Sequence, residues 1–277
     1  MIKHLSLLVF RKALDTMSGT ENLKQIAKVI PDIYNDGLQP AVKETGQVLA
    51  LLPKTINAAL APLRQWINER EYNVAETKKL LEQKLSKVGA EHIVTPEPYV
   101  AVPALQAISY SMSSEVLRNL YANLLARSMD ETAKNRVHPS FVEIIKQLFP
   151  DEAKLIKRIS NEENIPLIDI QRIVNEEGSF FVELHNFTNL ADNVCDKHTP
   201  GDVAEYIDNL CRLKIIEIPE GRYLSAETIY KPLKEHPVVV KIMNTPLPEG
   251  QSWEIVKKKV EITSFGREFI DVCVKDL

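Results

Sequence analysis

Along much of the chain, apolar residues recur at the three-and-four spacing of one helix face. The clearest run is "SSEVLRNLYANLLARSM", residues 113–129, in which Leu117, Leu120, Tyr121, Leu124, Leu125 and Met129 form one stripe. Ser113 or Ser114 stands where a cap belongs, so this segment is expected to be the centre of a helical core. Upstream, "NVAETKKLLEQKLSKVG" places Val74, Leu81, Leu85 and Val88 on one face and Glu and Lys on the other. Gly89 is the expected left-handed cap of that helix. Between the two, "TPEPYVAVPALQ" carries Pro96, Pro98 and Pro103, which predicts irregular chain and then a helix from about Pro103 to Tyr110.

The stretch "NRVHPSFVEIIKQLFPDEAKLI", residues 135–156, holds a histidine, a serine and acids close together. Ser140 and Glu143 have the S-x-x-E spacing of a capping box, in which hydroxyl and carboxylate finish the free amides of a helix start. Val142, Ile145, Leu148 and Phe149 would form its buried face, Pro150 would stop it, and Asp151 would cap a following helix bearing Leu155, Ile156 and Ile159. The fragment therefore reads as a joint between two helices. His138 and Pro139, immediately before it, carry no assigned role; a histidine there is more often held locally than catalytic.

Beyond residue 199 the pattern changes. "TPGDVAEYIDNLCRLKIIEIPEG" predicts a helix opening after Thr199 with Pro200 in its first turn, followed by a short strand Ile215 to Ile218. A matching strand, about Lys258 to Thr263, precedes a closing helix with Phe265, Phe269, Ile270 and Val274 on its apolar side. Helix, strand, connection, strand, helix is the order of a winged helix. The wing, 219–257, is proline-punctuated, with an extra strand expected at Val238 to Ile242. The fold class expected is thus mainly α, an N-terminal multi-helix domain followed by a winged-helix-like α+β domain. Its parts are a proline-punctuated helical segment over 1–70, a helical core over 71–139 and the winged-helix-like domain over 140–277.

Composition narrows the function. The chain has 277 residues, 44% hydrophobic and 26% charged, enough for a real core. Its net charge of −4 conceals a split, with 18 basic against 15 acidic residues to position 150 and 16 against 23 beyond. The helix in the recognition position bears Asp202, Glu205 and Asp208 against Arg212 and Lys214, which argues against a phosphate backbone as partner. Lys257, Lys258 and Lys259 are the one basic cluster nearby, and lysines also guard strand edges. Three cysteines, Cys195, Cys211 and Cys273, without CxxC spacing fit a reducing cytoplasm. The opening "MIKHLSLLVFRK" has an apolar run too short for a secretory signal and is expected to be a first helix or an upstream extension. "TGQVLALLPKTINAALAPL", residues 45–63, holds one charge but two prolines and several polar residues, so a buried hairpin is expected, with membrane contact as the alternative.

No chemistry stands out. "HNFTNLADNVCDKH" offers His185, Asp192, Cys195 and His198, but not the coherent ligand set that a zinc site needs. A G-x-S-x-G elbow, a G-x-x-x-x-G-K-[ST] loop and a G-x-G-x-x-G loop are all absent from the sequence. No catalytic residue, cofactor or metal is therefore assigned.

"LPKTINAALAPLRQWI" (52–67), "NLLARSMD" (123–130) and "VHPSFVEIIKQLFPDEAKLI" (137–156) resemble the Abi-alpha, or abortive infection alpha, family of bacterial proteins. The resemblance implies a role in phage defence or growth arrest of the infected cell, and brings no active-site residues with it. His138, Pro139, Ser140 and Glu143 belong to its most specific stretch. The expectation is a non-enzymatic, cytoplasmic defence protein that binds a protein partner or copies of itself. A winged-helix transcriptional regulator is the alternative.

Overall fold

A computed structural model describes residues 79–110, 114–195 and 199–277. The expectations for the segment 1–70, including residues 45–63, fall outside the described residues. The chain divides into two compact units, one running to Gln147 and taking in Lys275–Leu277, the other Leu148–Val274.

In the first unit, residues 79–85 are helical and bury Leu81 and Leu85. Gly89 does not cap that helix in the left-handed region; with φ −57° and ψ 136° it leads into a 3-10 turn, Ala90–His92. Helix α1 spans Pro98–Tyr110 and contains Pro103, so the expected irregular stretch is helical from Pro98. Pro98 presets the first turn, and an interior proline costs about 3 kcal/mol. Burial of Val100, Ala101, Val102, Ala104 and Leu105 outweighs that penalty.

Helix α2, Glu115–Ser128, begins at Ser114, whose Oγ accepts from the Leu117 amide at 3.3 Å. Its stripe is the core expected of it from the second turn on, with Leu120, Tyr121, Leu124, Leu125 and Met129 all buried, while Leu117 in the first turn is half-buried. Helix α3, Ser140–Lys146, buries Phe141, Val142, Ile144 and Ile145.

The second unit opens with helix α4, Pro150–Ile159, which buries Leu155, Ile156 and Ile159 as expected. Two expectations fail at its start. Asp151 is not the cap but lies in the first turn, paired with Lys154 at 2.9 Å, and Phe149 is 68% exposed. The carboxylate that reaches back is Glu152, whose Oε2 accepts from the Phe149 amide at 2.7 Å while Oε1 accepts from Asn209 Nδ2 at 2.8 Å. Burial raises the pKa of Glu152, and these hydrogen bonds, then Arg212, oppose the rise.

Strands β1, Ile165–Ile173, and β2, Phe180–Phe187, form a hairpin that the sequence reading does not anticipate. Helix α5, Pro200–Arg212, follows, capped reciprocally by Thr199 and Asp202. Then come β3, Ile216–Glu217, helices α6, Glu227–Lys234, and α7, Pro237–Met243, strand β4, Ser252–Ile262, and helix α8, Ser264–Phe269, which ends in a π-helical turn, Ile270–Val274. The strand expected at Val238 to Ile242 is therefore helix α7. Its β-branched run is overridden by Pro237 at the first position and by burial of Val239.

The sheet is antiparallel, in the order β2-β1-β4-β3. The expected pairing of the strand after α5 with the strand before α8 is present, Ile216 facing Ile262. The long partner of β4, however, is β1, from before α5. A two-stranded wing does not account for this sheet; the architecture is helix-rich α+β. Alternation sets its faces. Ile168, Ile170 and Phe187 pack with Tyr230, Leu233 and Val239 from α6 and α7, while Asp169 points the other way.

Tyr230 anchors the α6 side. Its ring is fully buried, its hydroxyl donates to the Lys258 carbonyl at 2.8 Å and accepts from the Leu224 amide at 2.9 Å. Tyr230→Phe strands both partners and is expected to lower stability by about 1–3 kcal/mol. A urea titration checks it, the midpoint falling with an unchanged slope.

Candidate functional site

Ser140 is the first residue of α3, not its cap, and the side chain of Pro139 makes no cap hydrogen bond. His138 Nδ1 accepts the Ser140 amide at 3.2 Å and lies 2.6 Å from Ser140 Oγ; Glu143 accepts from Lys146 at 2.7 Å. The capping box expected of Ser140 and Glu143 is thus replaced by an imidazole. The same device recurs at α7, where His236 precedes Pro237 and its Nδ1 accepts the Val238 amide at 3.3 Å. A histidine before a proline can present Nδ1 to the amide two residues on, because the proline itself has no donor. His138 is exposed, so this is a surface joint and not a cleft.

The metal candidates do not converge. His185 lies beside Asp169, Asp192 pairs with His236 at 3.6 Å, and buried Cys195 faces the Asp151 carbonyl at 3.9 Å; His198 is outside the described residues.

A different set of polar groups does come together, on the sheet face opposite Tyr230. Ile170 pairs with Leu184 and Ile168 with Phe187, so β2 spends three steps where β1 spends two. Leu184 and Phe187 both reach the same core, which is possible only if an extra residue intervenes. That residue is accommodated by Asn186, at φ +47°, in the left-handed region that asparagine tolerates better than most. His185 and Asn186 are consequently both presented opposite Asp169.

The bulge organises a network. The Asn186 amide donates to Asp169 Oδ1 at 2.8 Å, and Lys258 Nζ donates to Asp169 Oδ1 and Oδ2 at 3.1 and 3.0 Å and to Asn186 Oδ1 at 2.5 Å. Asn186 Nδ2 donates to Asp208 Oδ1 at 2.9 Å and stands 2.8 Å from His185 Nε2. His185 Nδ1 lies 3.5 Å from Asp169 Oδ1. Asp169 and Asn186 are buried; His185 and Asp208 are open to solvent. These groups, with Cys211, Lys214, Val256 and the turn Ile216–Gly221, line a cleft of about 900 Å³. Burial, helped by Asp208 and opposed by Lys214 and Lys258, pushes the Cys211 thiol up to about 11, so it stays protonated and weakly nucleophilic at neutral pH.

The lysine cluster is neutralised in place. Lys257 pairs with Glu227, Lys258 with Asp169 at 3.0 Å and Lys259 with Glu261 at 2.5 Å. Lys257 and Lys234 hold the Glu227 carboxyl down to about 2. On α5, Glu205 and Asp208 are exposed, and Arg212 is engaged by Asn209. Neither element offers the free positive charge that a phosphate backbone requires, so the DNA-reading alternative is not supported.

Sheet hairpin, acidic helix and histidine-capped joints define a helix-rich α+β protein with a polar cleft built on a β-bulge. The chain belongs to the abortive infection alpha family, whose model matches residues 69–273. No curated protein and no solved structure matches it significantly. Among the described residues no helix is long and apolar enough to cross a membrane.

Proposed function

We propose that this protein acts in abortive-infection phage defence by binding another protein, and that the free edge of β2 is where it binds. Family membership supports the defence role. The observation that carries the binding role is β2 itself: among the described strands it pairs with β1 alone, and Phe180, Phe181 and Val182 on it are 51%, 59% and 45% exposed. An edge strand that shows three consecutive large apolar side chains is the opposite of the charged or shortened edges by which proteins avoid pairing. Such an edge accepts an extended segment as an added strand, backbone groups giving affinity and side chains giving selectivity.

Local charge favours a different protein over a second copy. Glu176 and Glu177 are exposed at the hairpin turn, and the second half of the chain is strongly acidic, so a partner strand with apolar residues beside Lys or Arg is the better complement. No catalytic step is needed for this role.

The test is phage challenge of cells expressing the full chain, with Phe181→Glu compared against Val240→Glu, a charge placed at an exposed site on α7. Loss of a central aromatic from an interface costs about 2 kcal/mol, about thirtyfold in affinity. Phe181→Glu is expected to lose protection with its melting temperature unchanged, and Val240→Glu to keep it. Retained protection in Phe181→Glu overturns the edge reading; no protection by the unmodified chain overturns the defence reading. Sedimentation velocity identifies a second copy as occupant if the unmodified chain dimerises and Phe181→Glu does not.

A further inference from the structure

We infer that the occupant of the β2 edge is a short linear segment, a run of about three apolar residues in extended form followed closely by Lys or Arg. The inference rests on the edge reading given above and names the partner that the edge selects.

Backbone geometry sets the length. The Val174 amide donates to the Ser179 carbonyl at 2.9 Å, which makes those two a hydrogen-bonded pair. Such pairs alternate along an antiparallel ladder, so Arg172 with Phe181 is the next one, while Ile173 with Phe180 and Gln171 with Val182 are not hydrogen-bonded. The N–H and C=O of Phe181 therefore point to β1, and those of Phe180 and Val182 point away from it. Regular pairing then stops. Val182 faces Gln171 but Leu184 faces Ile170, so Glu183 is an extra residue, and at the other end the chain enters the turn from Asn175 to Ser179. The edge offers outward backbone groups on Phe180 and Val182, enough to order about three residues of a partner and too few to seat a long strand.

Side chains set the composition. Alternation places Phe180 and Val182 on one face and Phe181 on the other, where it continues the row of Ile168 and Ile170 beyond their core. A segment in register meets an exposed apolar neighbour at each step, and aromatic or β-branched residues are the favoured cross-strand partners. Phe181 is held in place although it is exposed. The Arg172 guanidinium lies 5.1 Å from its ring centroid, and Arg172 is itself fixed, Nε donating to Glu183 Oε1 at 2.8 Å and Nη1 to Gln251 Oε1 at 3.1 Å. A side chain ordered beforehand loses less freedom on binding, so this clamp prepares one ring face for a partner. Antiparallel addition is the more stable, and it runs the partner toward the hairpin turn, where Glu176 and Glu177 are exposed. The basic residue therefore comes after the apolar run.

The test starts from random nonapeptides displayed on yeast and selected on the immobilised full chain, with enriched sequences resynthesised for fluorescence anisotropy. Enriched peptides are expected to share the apolar run with Lys or Arg behind it. N-methylation of the two peptide amides that face Phe180 and Val182 is expected to weaken binding by about tenfold or more, the loss of a hydrogen bond or two. Methylation of the amide between them, which points away from β2, is expected to leave binding nearly unchanged. In the protein, Val182→Pro removes one outward N–H at an edge position where proline is tolerated, and is expected to weaken binding by about tenfold, whereas Val182→Thr keeps both the N–H and the binding. The inference is overturned if no peptide is enriched, if the enriched peptides lack the pattern, or if the two methylation patterns weaken binding equally. Phe181→Glu in infected cells decides the edge reading separately: protection lost there, with no pattern selected here, leaves the edge in use by a partner of another kind.

Discussion

Gly266→Ala is expected to destabilise the second unit by about 3 kcal/mol, the upper end of the usual overpacking range. Gly266 is buried at the start of α8, and a Cβ on it would lie 1.9 Å from the Ile215 carbonyl oxygen and 2.7 Å from its carbon. The obstacle is backbone, so no side chain can swing aside. That backbone is also held in place: the Thr263 amide donates to Ile215 O at 3.2 Å, Thr263 Oγ1 donates to Lys214 O at 2.5 Å, and the Gly266 amide donates to Thr263 Oγ1 at 2.8 Å. Relieving the clash means pulling the start of α8 off the corner at Lys214, whose own φ is +59°. Gly201→Ala is the comparison. There the nearest atom to a new Cβ is Thr199 Oγ1 at 3.6 Å, and alanine in a helix gains up to about 1 kcal/mol over glycine. Urea titrations should move the two midpoints in opposite directions, and a Gly266→Ala midpoint equal to that of the unmodified protein would refute the close approach.

Asp169→Ala is expected to cost more, about 3–5 kcal/mol, because it abandons a charge in the interior. The side chains of Asp169 and Lys258 are 10% and 20% exposed, so the ammonium left behind can recover little hydration. The Asn186 amide loses its acceptor in the same step. Lys258→Met in the Asp169→Ala background removes the orphaned charge and should restore part of the loss. A double-mutant cycle by denaturant unfolding measures this, and a coupling below about 0.5 kcal/mol would show the pair to be independent, contrary to the geometry.

Much of the helical framework was legible because one physical signal governed each element. The α2 stripe needs only a 3.6-residue period and a serine in front, and α5 needs only Thr199 and Pro200. The β1–β2 hairpin is not legible, for the opposite reason. "IPLIDIQRI" is apolar on both faces over much of its length, and β2 shows phenylalanines to solvent where alternation would put polar residues, so neither strand reads cleanly at period two. A turn cluster, Asn175 through Ser179 with Gly178 at φ +82°, was the available clue.

The joint at His138 is legible in the sequence, but the group that finishes its helix start is not. Ser140 and Glu143 satisfy a spacing rule, yet the imidazole two residues before the amide reached it and the Glu143 carboxylate paired with Lys146. The cleft could not be read at all. Asp169, Asn186, Asp208 and Lys258 are brought together by a change of register between two strands, and nothing in their linear spacing reports it.

That change of register also governs how the chain can vary. Exchanging a side chain at His185 or Asp208 leaves every strand where it was, so recognition can drift by single replacements. Losing one residue between Leu184 and Phe187 would instead set those two at the regular spacing of two, keeping both on the core face but leaving a single residue where His185 and Asn186 now stand, which dismantles the cleft in one step. The site is thus tolerant of spelling and intolerant of length.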